Sequence, residues 1–381
     1  MKIRLLLYAV FTFSSGFVEL CAQENPSPEE ILLKEALWKS GFEQVHVLDL
    51  NDTLRIFFEK RSFRYPVHSM EYAKLEASKD AKKAIVWIPV FHNRPMGAYH
   101  QEDYRFRKLK AEELSYFKKK NDLAGGYRFH FRIMPDFRAR YGQFDQPFQT
   151  KTSLILDTRI YLLPGLSLHG GVLIPLVNSL DYREMNIRPG PTMLTWLGHQ
   201  GNHFVNITGG IFLSDRYGID LQYRYAPLDR FLSFGIESSL TGFYLWPSSG
   251  LYSEAMNAFR IVGDVEYRLP PFPKVTAKIS AGQFLYGDRG VRFDLIRQWG
   301  SVDVSFYAST SDLGRNAGFQ FIVPIFPGNI LRTKKMEFRT TEEYPWDYNY
   351  SQIKVTRNYR LSVPRLSDVV RQYNHHLWIH E

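Results

Sequence analysis

Cysteine is nearly absent from this 381-residue chain: Cys21 is the only one. A single thiol excludes an internal disulfide framework and a thiolate metal site. Long apolar runs are also missing. Beyond residue 22 no stretch reaches the roughly 18 apolar residues of a membrane-crossing helix. The sequence has no G-x-S-x-G, P-loop, H-E-x-x-H or dinucleotide fingerprint. No catalytic residue, metal ligand or cofactor is therefore expected. Neither His375-His376 with His380 nor Glu342-Glu343 with Asp347 has the surroundings that metal binding or paired-carboxylate catalysis requires. The His cluster reads as a solvated tail and the carboxylates as part of a flexible one.

The N-terminus points to secretion. Lys2 and Arg4 precede a mostly apolar run from Leu5 to Val18, and Cys21-Ala22 could end a signal peptide of residues 1–22. Cys21 either leaves with that peptide or is acylated as a lipoprotein cysteine; Val18-Glu19-Leu20 fits a lipobox poorly. A secreted chain without a membrane helix is a soluble protein or a β-barrel, whose signal per strand is weak.

What is abundant is aromatic and alternating. Aromatics make up 15% of residues, and the formal net charge is +9. That charge suits an anionic surface or polymer without selecting one. Residues 24–125 read as a small α/β domain. A capping box at Ser27-Pro28-Glu29-Glu30 starts a helix that Gly41 ends. A hairpin turns at Asn51-Asp52, a strand covers 84–91 and a charged helix runs over 111–120.

From Tyr127 onward the period becomes two. Ile219, Leu221, Tyr223 and Tyr225 oppose Asp220, Gln222 and Arg224. Phe259, Ile261, Val265 and Tyr267 oppose Arg260, Asp264, Glu266 and Arg268. Ala277, Ile279 and Ala281, then Val291, Phe293 and Leu295, oppose Lys278, Ser280, Arg292 and Asp294 across a Gly287-Asp288-Arg289-Gly290 turn. About twelve such segments run from 127 to 326, several long enough for the 9–11 residues a tilted strand needs to cross a bilayer. Longer and shorter connections largely alternate, as in outer-membrane barrels. The fold class expected is mainly β: a transmembrane antiparallel β-barrel of about twelve strands over 126–327, preceded by the α/β domain. Residues 328–381 read as a tail. Both the tail and the domain are expected in the periplasm. A soluble sandwich is the competing reading: its core would not tolerate this many inward charges, while with the charges facing water a soluble sheet is again possible, and segment length and loop alternation favour the barrel.

The run "VEYRLPPFPKVTAKISAGQFLYGDRGVRFDLIRQW", with "VDVSFYASTSD" and "GFQFIVPIF", resembles the YjbH/GfcD family of exopolysaccharide and capsule biogenesis proteins. "NIRPGPTMLTWL", "YGIDLQYRYAPLD" and "LLKEALWKSGFEQVHVLDLNDTLRIFFEKRSFRYPV" are similar to other segments of that family. The resemblance implies an outer-membrane protein in polysaccharide secretion or surface assembly, and the absence of a catalytic motif makes a non-enzymatic role the expectation. Its partners would be outer-membrane lipid, a polysaccharide and other export proteins, with no nucleic acid. On that reading, inward Arg132, Arg138, Arg159, Arg224, Arg260, Lys278 and Arg292 are the candidate contacts to an acidic glycan. The same residues could instead be salt-bridged to inward carboxylates in a closed interior. An anchored scaffold that binds envelope partners and, less favoured, a lipid- or glycan-modifying barrel enzyme are the alternatives.

Overall fold

The computed structural model describes residues 28–50, 53–77, 83–141, 148–213, 215–349 and 365–378. The proposed signal peptide, Cys21, Ser27, the Asn51-Asp52 turn and His380 lie outside them.

The N-terminal domain is a sheet covered by helices. Its elements are α1 (Pro28–Lys39), β1 (Glu43–Leu50), β2 (Thr53–Glu59), α2 (Pro66–Ala77), β3 (Ala84–Phe91), β4 (Arg94–Pro95), β5 (Ala98–His100), β6 (Phe106–Arg107) and α3 (Ala111–Lys120). β1 and β2 pair antiparallel, and α2 carries the chain across to β3, which pairs parallel with β2. Gly41, at φ +88°, ends α1 in the left-handed region that favours glycine. Alternate residues of the sheet face its two sides. Ile56, Phe58 and Trp87 join one apolar cluster with Leu37 and Met70 of the helices; Phe57, Val86 and Ile88 join another with Phe117 of α3.

The second sheet is larger. Its strands are β7 (Phe129–Tyr141), β8 (Phe148–Leu163), β9 (Leu166–Asn178), β10 (Arg188–Pro189), β11 (Thr192–Gln200), β12 (His203–Phe212), β13 (Arg216–Tyr225) and β14 (Leu232–Leu245). They continue with β15 (Tyr252–Ser253), β16 (Ala258–Leu269), β17 (Phe272–Gln283), β18 (Arg289–Trp299), β19 (Val302–Ser311), β20 (Gly314–Val323), β21 (Ile330–Arg332), β22 (Met336–Thr340) and β23 (Tyr344–Asn349). The long strands from β7 to β20 pair antiparallel with their sequence neighbours, and the hydrogen-bonded path returns to β7 as a closed ring. The chain is mainly β, as the alternation predicts.

The alternation also sets inside and outside. Ile219, Leu221, Phe259, Val265, Ile279, Phe293 and Phe306 are exposed on the outer face. The residues between them, including Asp220, Arg224, Arg260, Asp264, Lys278, Arg292 and Asp294, are buried inside.

The path does not close as expected. β20 does not meet β7 directly. Residues 336–349 form a broken extra strand between them: β23 pairs antiparallel with β20, and β22 pairs parallel with β7, Phe131 opposite Phe338. The tail beginning at 328 is therefore partly wall. The reason is directional. The twelve long strands alternate in direction, so a thirteenth lies parallel to the first and closes the ring in parallel. Leu366–Gln372 (α4) and the short 3₁₀ turn His375–Leu377 come next, inside and below the ring.

Truncation and cross-linking both test this closure. Truncation after residue 327 removes the closing strand and abolishes the compact, heat-modifiable form on gels; a truncated chain with unchanged mobility would contradict the register. In the full chain, Phe131→Cys with Phe338→Cys forms a disulfide under mild oxidation, whereas Phe131→Cys with Leu331→Cys does not.

Candidate functional site: a charged interior with an inserted helix

The inward side chains form an ion-pair network. Arg132 holds Asp157 through two hydrogen bonds of 2.8 and 2.9 Å and reaches Glu342 at 2.8 Å. Arg159 meets the His92 ring at 3.3 Å. Arg224 donates to Asp264 and to Ser233. Arg260 pairs with Glu237, with Asp220 at 4.0 Å. Lys278 lies 3.5 Å from Asp264 and 3.3 Å from Glu266. Arg292 donates to Asp294 at 2.6 Å and stacks over Tyr307. Arg138 is more open and pairs with Asp136 at 3.4 Å. Six of the seven cations expected to meet a glycan thus lie within an ion-pair or hydrogen-bonded interior. Inward direction alone specified neither partner nor occupant.

The occupant is α4. Its Arg371 is buried and forms two hydrogen bonds to Glu266, at 2.6 and 3.2 Å. Arg268 donates to the Arg371 carbonyl, and Lys278 donates to Ser367 at 3.1 Å. The Leu366 amide donates to Gln222 at 2.7 Å. Leu366, Val369, Val370 and Tyr373 pack with Leu197, Phe204, Ala226 and Leu228 of the ring and with Met96 of the N-terminal domain. The address of this apolar face could not be read from the sequence, because its apolar partners on the ring and domain lie more than a hundred residues earlier.

The domain covers the same end. Arg64 spans Asp303 at 2.5 Å and Glu343 at 3.2 Å, and Tyr65 donates to Asp303. Glu59 accepts from Tyr127 and Tyr161 at 2.5 and 2.7 Å; burial raises its carboxyl pKa. Burial would also raise Glu43, but Arg61 and His130 hold it well below the usual carboxylate range. Short connections meet this domain: the Gly165 amide donates to the His92 carbonyl, and the His199 ring lies 3.2 Å from the Pro95 carbonyl.

Two expectations about the tail are corrected here. Glu342 and Glu343 are not on a flexible segment; they are held by Arg132, Arg339 and Arg64. His375 is not solvated. It is buried, and its Nδ1 accepts from the Phe106 amide at 3.3 Å. Burial, followed by nearby His376, lowers its pKa to about 4. Among the described residues no group of His, Cys, Asp and Glu is arranged to hold a metal.

The fold and site define a mainly β protein with a charged, helix-filled interior. Residues 182–320, from the segment before β10 to within β20, match the family model described as exopolysaccharide biosynthesis protein YbjH. Over that stretch the chain is similar to the YjbH family. No curated protein matches it.

Arg371→Gln leaves a buried carboxylate short of its closest cation. A loss of about 3–5 kcal/mol is expected, read as a lower melting temperature and faster proteolytic release of the C-terminal segment. Unchanged protection would place Arg371 outside the interior. His375 supplies the pH test. Its folded-state pKa lies below the unfolded value, so the folded form binds fewer protons. Docking is full above about pH 6.5 and weakens as pH falls toward about 4. Protection of the C-terminal segment should fall across that window, and His375→Gln should flatten the fall.

Proposed function

We propose that the protein is a non-enzymatic outer-membrane component of exopolysaccharide or capsule secretion or surface assembly. On this reading the ring is a membrane-spanning β-barrel. The observation that carries it is the inverted burial pattern: large apolar side chains are exposed all along the outer face while charged ones are buried inside. Water would penalise so broad an apolar surface, and lipid does not. The family match supplies the polysaccharide, and the proposed signal peptide is consistent with export to the envelope.

The arrangement at the short-connection end supports a second element. The N-terminal domain and α4 seal that end, so the resting protein is a closed barrel carrying a periplasmic scaffold. The interior pairing gives Arg132, Arg159, Arg224, Arg260, Lys278 and Arg292 a structural role and leaves glycan contact to a surface outside their network. The scaffold reading and the export reading are compatible: partners bound at the domain would act on the seal.

Placement and face are both testable. In intact cells, Ser248→Cys in the long connection after β14 labels with an impermeant maleimide, and Lys118→Cys on α3 does not. The opposite pattern rejects the orientation. Ile279→Arg, on the outer face, costs about 2–4 kcal/mol where it meets the bilayer midplane, whereas Ile279→Leu is nearly neutral. Equal stability of the two variants in lipid rejects the lipid face. Ser280 beside it is only 1% exposed, so an arginine there is overpacked rather than freely tolerated. Loss of surface polysaccharide on gene deletion tests the pathway itself.

A further inference from the structure

The end opposite the domain has a different electrostatic character. Arg216 opens β13 and is 3% exposed. Its Nε donates to Thr241 at 2.9 Å and its Nη1 to the Tyr286 hydroxyl at 3.2 Å. The guanidinium also lies 5.3 Å from the centre of the Tyr286 ring. Those partners are neutral, and no carboxylate among the described residues pairs with it. This contrasts with Arg224, Arg260 and Arg292 deeper inside, each of which faces a carboxylate.

Phe243 is opposite Arg216 in the strand pair, and the Arg183 guanidinium sits 5.8 Å over its ring. Arg183 comes from the long connection after β9. It reaches Asp215 and lies 3.6 Å from Asp181. Lys151 shares Asp181 at 2.8 Å. Arg138 and Arg188 lie within electrostatic range of Arg183. Arg183, Lys151, Arg138 and Arg188 thus gather with Asp181, Asp215 and Asp136, beside Phe243, the residue opposite Arg216, and among the described residues Arg216 has no carboxylate partner. Tyr286, held at φ +64°, and Tyr182 expose aromatic rings at the same end.

We propose that this outer vestibule binds the anionic group of an acidic polysaccharide, with Arg216 and Arg183 as its centre. This rests on the export reading above and moves the glycan contact from the middle of the interior to its outer mouth. A carboxylate on a sugar ring supplies the charge that Arg216 lacks. The exposed tyrosines supply faces for the apolar side of the sugar. Of the seven cations expected from the sequence, Arg138 is the one that falls in this cluster. The chemistry recognised is an anionic oxygen, which a lipid phosphate also carries.

The test uses the full chain in detergent micelles with three probes: hexagalacturonate, maltohexaose and lipid A. Calorimetry should show binding of the uronate that weakens with salt and no binding of the neutral sugar. Arg216→Gln and Arg183→Gln should each weaken uronate binding at least tenfold, Arg216→Lys less, and Lys118→Gln not at all. If Arg216→Gln fails to fold, Tyr286→Phe keeps the ring and removes the hydroxyl partner, and should alter the affinity. Equal binding of the neutral and acidic sugars overturns the proposal, as does unchanged affinity in the variants. Tighter, Arg216-dependent binding of lipid A would assign the site to lipid phosphate and overturn the glycan assignment. Surface polysaccharide loss on gene deletion, with no uronate binding, would reject this site alone and leave the export reading standing.

Discussion

Charge neutralisation inside the ring is the constraint on which the rest of the structure depends. A strand with an apolar outer face has no choice but to turn its polar residues inward. A dozen such strands concentrate arginines, lysines and carboxylates in one enclosed volume. Burying an unpaired charge costs several kcal/mol, so each must find an opposite charge or a hydrogen-bonding partner there. Arg224, Lys278 and Arg371 converge on Glu266 and Asp264, and Arg260 on Glu237. Much of the pairing is cross-strand, although Arg292 and Asp294 pair within β18. Arg224 takes Asp264, two strands away, rather than Asp220 on its own strand. That couples β13, β16 and β17 into one unit and makes the network sensitive to strand register.

The same constraint explains why the C-terminal segment is inside. An interior filled only by side chains from the wall would leave Glu266 to Arg224 at 3.8 Å and Lys278 at 3.3 Å. α4 adds a fully buried guanidinium in two-point contact with that carboxylate. It also brings Leu366, Val369 and Val370 against Leu197 and Phe204, where the wall is apolar on its inner side. The helix is only seven residues long and would not be stable alone. Its stability comes from the site it fills.

Much of the fold was legible because period-two alternation is a strong local signal. The Phe259–Arg268 alternation falls within the observed β16, Ala258–Leu269, and the Ile219–Tyr225 alternation within β13, Arg216–Tyr225. The inward direction of Lys278, Arg292 and Asp294 came from the same pattern. The closing strand was not legible. Met336-Glu337-Phe338-Arg339 does alternate, with Glu337 and Arg339 buried, but the run is five residues long and Pro345 breaks the pattern in the next segment, β23. Its partner Phe131 is two hundred residues earlier, and a parallel pairing leaves no turn between the strands to announce it. Ion-pair partners were hidden for a related reason. The alternation tells which face a side chain takes, while the partner depends on the stagger between strands.

The closed path of pairings also limits how the interior could ever open. Widening the wall would separate two strands along ladders such as the ten residue pairs between β12 and β13. On the membrane reading, breaking such a ladder in lipid would leave backbone groups without water to replace their partners. Moving α4 breaks far less: the Arg371–Glu266 contact, a few side-chain hydrogen bonds and one apolar cluster. That cluster includes Met96 of the N-terminal domain, and the Tyr373 carbonyl accepts from Tyr99. Leu377 and Trp378 reach further, into the domain's own core. The domain therefore grips the end of the segment whose other part fills the interior. A displacement of the domain would pull on α4 through the packed side chains of Leu377 and Trp378, and would also break the domain's own contacts to the wall at Asp303, Glu343 and Tyr161.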